Sequence, residues 1–128
     1  MAQLIEGISH VDSQELNHIV SNPQSPVIII DVREHEEYEA SHIAGVPLIP
    51  MGEIIDVIDQ LDKSKEYVFV CRSGRRSFEV AKFFSSNGFD YIHNYEGGML
   101  SWQEVGLPIA TGRDNIIETF NQEQLERK

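Results

Sequence analysis

The run Val27-Ile28-Ile29-Ile30-Asp31-Val32 constrains the fold more than any other segment. It offers β-branched apolar side chains to both sides of a strand, so both faces must be covered, as in a central parallel strand. A second run, Tyr67-Val68-Phe69-Val70, has the same character. Helical patterns alternate with these strands. Asp12, with Glu15 three residues on, is a capping-box signal opening a helix that carries Leu16, Ile19 and Val20 on one face. The segment Asn22-Pro23-Gln24-Ser25-Pro26 ends it. The stripe Ile54, Ile55, Ile58 and Leu61 predicts a helix over Gly52–Asp62. Another is predicted over Ser77–Asn87, with Val80, Ala81 and Phe84 inward and Gly88 as its stop. Ile8–Val11 and Asp90–Asn94 read as short strands, and Glu34–Ser41 as a short acidic helix. Two prolines in Val46-Pro47-Leu48-Ile49-Pro50 suit a sheet edge or an irregular strand. The alternation predicts an α/β fold with a central, mainly parallel sheet flanked by helices in three layers.

A chain of 128 residues fits one compact domain, expected here over residues 1–112. Residues 113–128 read as a C-terminal extension. Ile116, Ile117, Phe120 and Leu125 sit there at rough helical spacing, so a helix is expected that packs back, frays or meets a partner. The single cysteine excludes an intramolecular disulfide and a multi-cysteine zinc site, and no metal or cofactor is expected. A free thiol, an N-terminus without a leader pattern and the absence of a long apolar run point to the cytoplasm. The net charge is −11, from 21 acids and 10 bases, which disfavours nucleic acid and anionic membranes as partners.

Against that acidic background, three of the ten bases crowd into one loop, Cys71-Arg72-Ser73-Gly74-Arg75-Arg76-Ser77. The loop follows an apolar strand and precedes a helix, at the strand's carboxyl end, where ligands of parallel sheets bind. A small glycine-containing turn at that place aims backbone N–H groups at an anion. A thiolate is such an anion and is the reactive form of cysteine. A buried, inert Cys71 is the competing reading, and the flanking arginines and Gly74 argue against it.

The elements Asp31-Val32-Arg33-Glu34, Glu37-Tyr38, His42-Ile43-Ala44-Gly45, Cys71 to Ser77, and Gly97-Gly98-Met99-Leu100-Ser101-Trp102 occur in one order and spacing. Together they resemble the rhodanese (sulfurtransferase) domain family in its single-domain form, over about residues 8 to 110. The resemblance implies that Cys71 takes a sulfane sulfur from a small anionic donor such as thiosulfate or a persulfide. The resulting persulfide would pass it to a thiol or cyanide acceptor, or to a protein partner. Residues 72–76 would supply the anion cradle, Ser77 would cap the following helix, and Gly74 would permit the turn. Arg72 is expected to grip the donor, Arg76 to do the same or to form an ion pair, and Arg75 to face solvent. Asp31, Arg33, His42, Gly45 and Trp102 are expected to be structural. Arg33 needs a carboxylate such as Asp31, His42 fixes a turn, and Trp102 is a core or pocket-wall ring. His35 among Glu34, Glu36 and Glu37 reads as a solvated helix start rather than a metal cluster.

Two other functions compete with this one. Cysteine phosphatases place an arginine six residues after the cysteine, and here that residue is Ser77. A non-catalytic module that senses persulfide or oxidant, or carries sulfur to a partner, needs the same loop and is not separated by sequence.

Overall fold

The structure is a computed structural model, and it describes residues 3–113, 115–117 and 125. Its sheet has five strands: β1 (Gln3–Ile5), β2 (Ile8–Val11), β3 (Ile28–Asp31), β4 (Tyr67–Val70) and β5 (Ile92–Tyr95). Their spatial order is β1-β2-β5-β4-β3, parallel throughout except for the β1–β2 pair. That pair is a hairpin closed by Glu6 and Gly7, both with positive φ. Two successive left-handed residues give the strand-matching turn of a tight hairpin. The sequence pattern did not disclose β1.

Helices cover both faces: α1 (Ser13–Val20), α2 (His35–Ala40), α3 (Met51–Asp56), α4 (Arg75–Ser85) and α5 (Gly98–Glu104). The strand period of two sorts the apolar residues into two cores. Ile28, Ile30, Tyr67 and Phe69 join Ile54, Val80, Ala81 and Phe84 on one side. Ile29, Val68 and Val70 join Leu16, Met99 and Trp102 on the other. The expected layers are thus present.

Two helices depart from the sequence reading, and the proline-flanked segment forms the expected sheet edge. The helix over 52–62 breaks at Val57 into α3 and a 3-10 turn, Ile58–Gln60. Residues 47–49 form a two-bond parallel edge against Asp31, with Asp31 N–H donating to the Pro47 carbonyl and Ile49 N–H to the Asp31 carbonyl. Helix α4 begins two residues early, at Arg75, because Gly74 supplies its left-handed N-cap. Within the extension, Ile117 N–H donates to the Leu48 carbonyl and Leu48 N–H to the Asn115 carbonyl, so residues 115–117 run extended beside Leu48. Leu125 is buried in the α4-side core. Phe120 and the rest of the expected terminal helix lie outside the described residues.

Candidate active site

Cys71 directly follows β4. The strand alternation groups it with Tyr67 and Phe69, on the face that α4 covers. Its sulfur therefore meets the first turn of that helix. Sγ accepts the Gly74 N–H at 3.1 Å and lies 3.3 Å from Ser77 Oγ. The residue is 1% exposed, so the sulfur forms the floor of its loop. The N–H groups of Arg75, Arg76 and Ser77 open α4 and lack intrahelical acceptors, and the helix dipole adds positive potential at this end.

Two glycines fix the loop. Gly74 has φ +91°, and a Cβ there would stand 2.1 Å from the Glu96 carbonyl oxygen. Gly98 has φ +61°, and its Cβ would stand 2.4 Å from the Arg72 carbonyl oxygen. That close approach lets the N–H groups of Met99 and Leu100 donate to the carbonyls of Cys71 (2.9 Å) and Arg72 (3.0 Å). The carbonyls of Cys71 and Arg72 are thus occupied by α5, and that of Gly74 by Phe78 N–H and Asn94 Nδ2.

The arginines divide by role. Arg76 donates two bonds to Glu37, at 2.7 and 2.8 Å, which joins α4 to α2. These bonds hold the Glu37 carboxyl well below the ordinary range, at about 2. Of the two expectations for Arg76, the ion pair is the one observed. Arg72, Ser73 and Arg75 are exposed, as expected for Arg75 and as a donor-binding Arg72 requires. Ser77 departs from expectation. It is the third residue of α4, fully buried, and its hydroxyl donates to Asn94 Oδ1 rather than capping the helix.

One strand over, Arg33 donates Nε and Nη2 bonds to Asp31 and another from Nη2 to the Ser41 carbonyl. Burial pushes the Asp31 carboxyl up and Arg33 opposes it, a closed pair with a structural role. His42 donates from Nδ1 to the Tyr38 carbonyl at 2.7 Å and stacks on the Tyr38 ring. Gly45 turns the chain at φ +83°. Trp102 is buried, with Nε1 donating to the Pro108 carbonyl. Among the described residues, no group of three or more His, Cys, Asp and Glu side chains is placed to hold a metal.

Sequence reasoning passed over His10 and Asn94, which lie paired on β2 and β5. Asn94 Nδ2 donates to the Gly74 carbonyl at 3.1 Å and lies 3.3 Å from His10 Nδ1. Both residues are buried. Polar side chains inside short apolar strands were the available signal, since each must have a partner when buried.

A cysteine at a strand-to-helix turn, with a backbone N–H on its sulfur and a mainly parallel sheet beneath, defines an α/β domain of the kind the motifs suggested. Residues 12–105 match the family model described as Rhodanese-like domain, and the chain belongs to that family. It is 48% identical over 80 residues to the "Putative sulfurtransferase YtwF" of Bacillus subtilis, covering 62% of this chain and 77% of that protein. It is 43% identical over 74 residues to the "Putative sulfur carrier protein YrkF" of the same organism, covering 58% of this chain and only 40% of that protein. Among solved structures, a rhodanese-like domain protein from Staphylococcus aureus superposes with a TM-score of 0.68 at 36% identity, covering 80% of this chain and 98% of that one.

Proposed function

We propose that the protein is a sulfurtransferase that carries sulfane sulfur on Cys71. With thiosulfate as donor, the thiolate attacks the outer sulfur, the S–S bond breaks, and sulfite leaves with the bonding electron pair. Cys71 becomes a persulfide. A cyanide or thiolate acceptor then attacks the terminal sulfur, releasing thiocyanate or a new persulfide and restoring the thiolate. Two half-reactions through one covalent intermediate give ping-pong kinetics. Thiolate and persulfide are both anions, and the N–H groups at the start of α4 suit both. The observation that carries this reading is the Gly74 N–H on Sγ, in a loop whose carbonyls at Cys71 and Arg72 are bound elsewhere. The names of the two Bacillus relatives support the same chemistry, one as transferase and one as carrier. A reducing compartment suits the free thiol.

Phosphate-ester hydrolysis is disfavoured, because the position its arginine would occupy is the buried Ser77. The deciding experiment is intact-protein mass spectrometry after incubation with thiosulfate. One sulfur should be added on Cys71, and none in Cys71→Ser. Absence of loading from both thiosulfate and a cysteine-desulfurase persulfide would overturn the reading.

A further inference from the structure

The hydrogen bonds behind the sulfur leave only one consistent arrangement of protons. The Gly74 carbonyl can only accept, so the amino group of Asn94 faces it at 3.1 Å. Asn94 Oδ1 then faces Ser77, 2.5 Å away, and the hydroxyl must donate to it. The same amino group approaches His10 Nδ1, which therefore accepts, leaving the imidazole hydrogen on Nε2. That nitrogen is buried and has no hydrogen-bond partner, while the ring is held edge-on by Phe78 at 4.8 Å. Ser77 Oγ has one proton and two acceptors in reach, Sγ at 3.3 Å and Asn94 Oδ1 at 2.5 Å, and the shorter contact holds it. Toward Sγ the hydroxyl presents lone pairs, which a thiol S–H can use and an anionic sulfur cannot.

We propose that Asn94, held in one orientation by Gly74 and His10, is a positioning residue that competes with the Cys71 sulfur for the Ser77 proton. When the sulfur is neutral, the proton stays on the Asn94 side. When it is charged, the hydroxyl must turn to Sγ, which leaves a buried amide oxygen without a donor. The chain thus restrains the sulfur anion, and the backbone cradle works against that restraint. The inference rests on the reading of Cys71 as the reacting group.

The test is the rate of Cys71 alkylation by iodoacetamide at neutral pH, read by mass spectrometry with no sulfur donor present. Asn94→Leu keeps the volume and removes the competing acceptor, so alkylation should accelerate about tenfold, the scale of one hydrogen bond to a charged group. Ser77→Ala should slow it about threefold on the same grounds, and Ser77→Thr should restore it. In the Ser77→Ala background, Asn94→Leu should add nothing. Equal acceleration in both backgrounds would mean simple loosening and would overturn the proposal, as would no acceleration in either. If Asn94→Leu loses its near-ultraviolet circular dichroism, the serine pair decides, and equal rates in Ser77→Ala and Ser77→Thr refute the proposal. A protein that follows this alkylation pattern but never loads sulfur refutes the transferase reading alone.

Discussion

Two regions of this molecule hold a nucleophilic side chain, and they are built in opposite ways. On the α1 side of the sheet, Ser9 Oγ lies 2.7 Å from His93 Nδ1, and His93 Nε2 lies 2.6 Å from Glu66 Oε2. The group has the residue types of a catalytic triad. Yet Ser9 is paired in the sheet with Leu4 on one side and His93 on the other, so its backbone belongs to the ladders. Among the described residues Ser9 lies mid-strand in β2, and no backbone loop or helix start faces its hydroxyl in the way Gly74 faces Cys71. At Cys71 the situation is reversed. Among the described residues no histidine hydrogen-bonds Sγ, but the Gly74 N–H donates to it at 3.1 Å and α4 begins at the next residue. On the proposed reading the backbone donor at Sγ marks the reactive centre, and the hydrogen-bonded Ser-His-Glu row pins strands together.

Breaking the cradle should have the largest effect. Gly74→Ala brings a Cβ against the Glu96 carbonyl and forces a left-handed alanine. The loop must shift to relieve the contact, and a displacement of about 1 Å at a reacting centre costs about a hundredfold in rate. Persulfide loading from thiosulfate, followed by mass spectrometry, should fall by that factor in a variant that retains its circular dichroism spectrum. Loading at the native rate would show that the left-handed turn is not needed.

The exposed arginines come next. Arg72→Ala should raise KM for thiosulfate about three- to tenfold, the value of one charge-assisted contact at an accessible position. The effect should shrink with added salt, because exposed charges are screened. Arg75→Ala should do less, and equal effects would assign both residues to the general field of the loop.

Arg76 tests the frame rather than the cradle, and its signature is pH dependence. The guanidinium holds the Glu37 carboxyl at about 2 against an ordinary 4.5. A depressed carboxyl stabilises the fold above its unfolded value and loses that contribution as pH falls through the folded value. The difference in urea midpoint between the native protein and Arg76→Met should be full at neutral pH and should shrink from pH 4.5 down to about 2. A difference that does not change over this range would mean that Arg76 contributes packing alone.

The layered fold was legible because Val27–Val32 and Tyr67–Val70 can only be strands covered on both faces. The loop was legible because Cys71, Gly74 and the arginines are adjacent in sequence. The prolines signalled the edge at 47–49, but the turn after α3 was not legible, since a mixed run such as Val57-Ile58-Asp59 carries no clean period. His10 and Asn94 escaped for another reason. They lie 84 residues apart, and only the β2–β5 register makes them neighbours. Ser77 was misassigned because one glycine moved the helix start two residues upstream, from cap to first turn.

The smallest expected effect is the one that bears most directly on the contrast. His93→Ala removes the centre of the Ser-His-Glu row but touches nothing in the Cys71 loop. Its two hydrogen bonds are part-buried, and the Glu66 side chain is 43% exposed, so water can take over much of what is lost. Stability should fall by about 1 kcal/mol, the net worth of such bonds, measured as a shift in urea midpoint. Persulfide loading should stay within about twofold of the native rate, the change expected when no transition-state contact is removed. If His93 served as a base for the reaction, loading would instead drop about a hundredfold or more, since a positioned general base contributes on that scale. That outcome would move the chemistry to the α1 side of the sheet and reduce the Cys71 cradle to a structural turn. Retained loading beside a measurable loss of stability would show the row to be a strand clamp, with the reaction depending on backbone N–H groups at the start of α4.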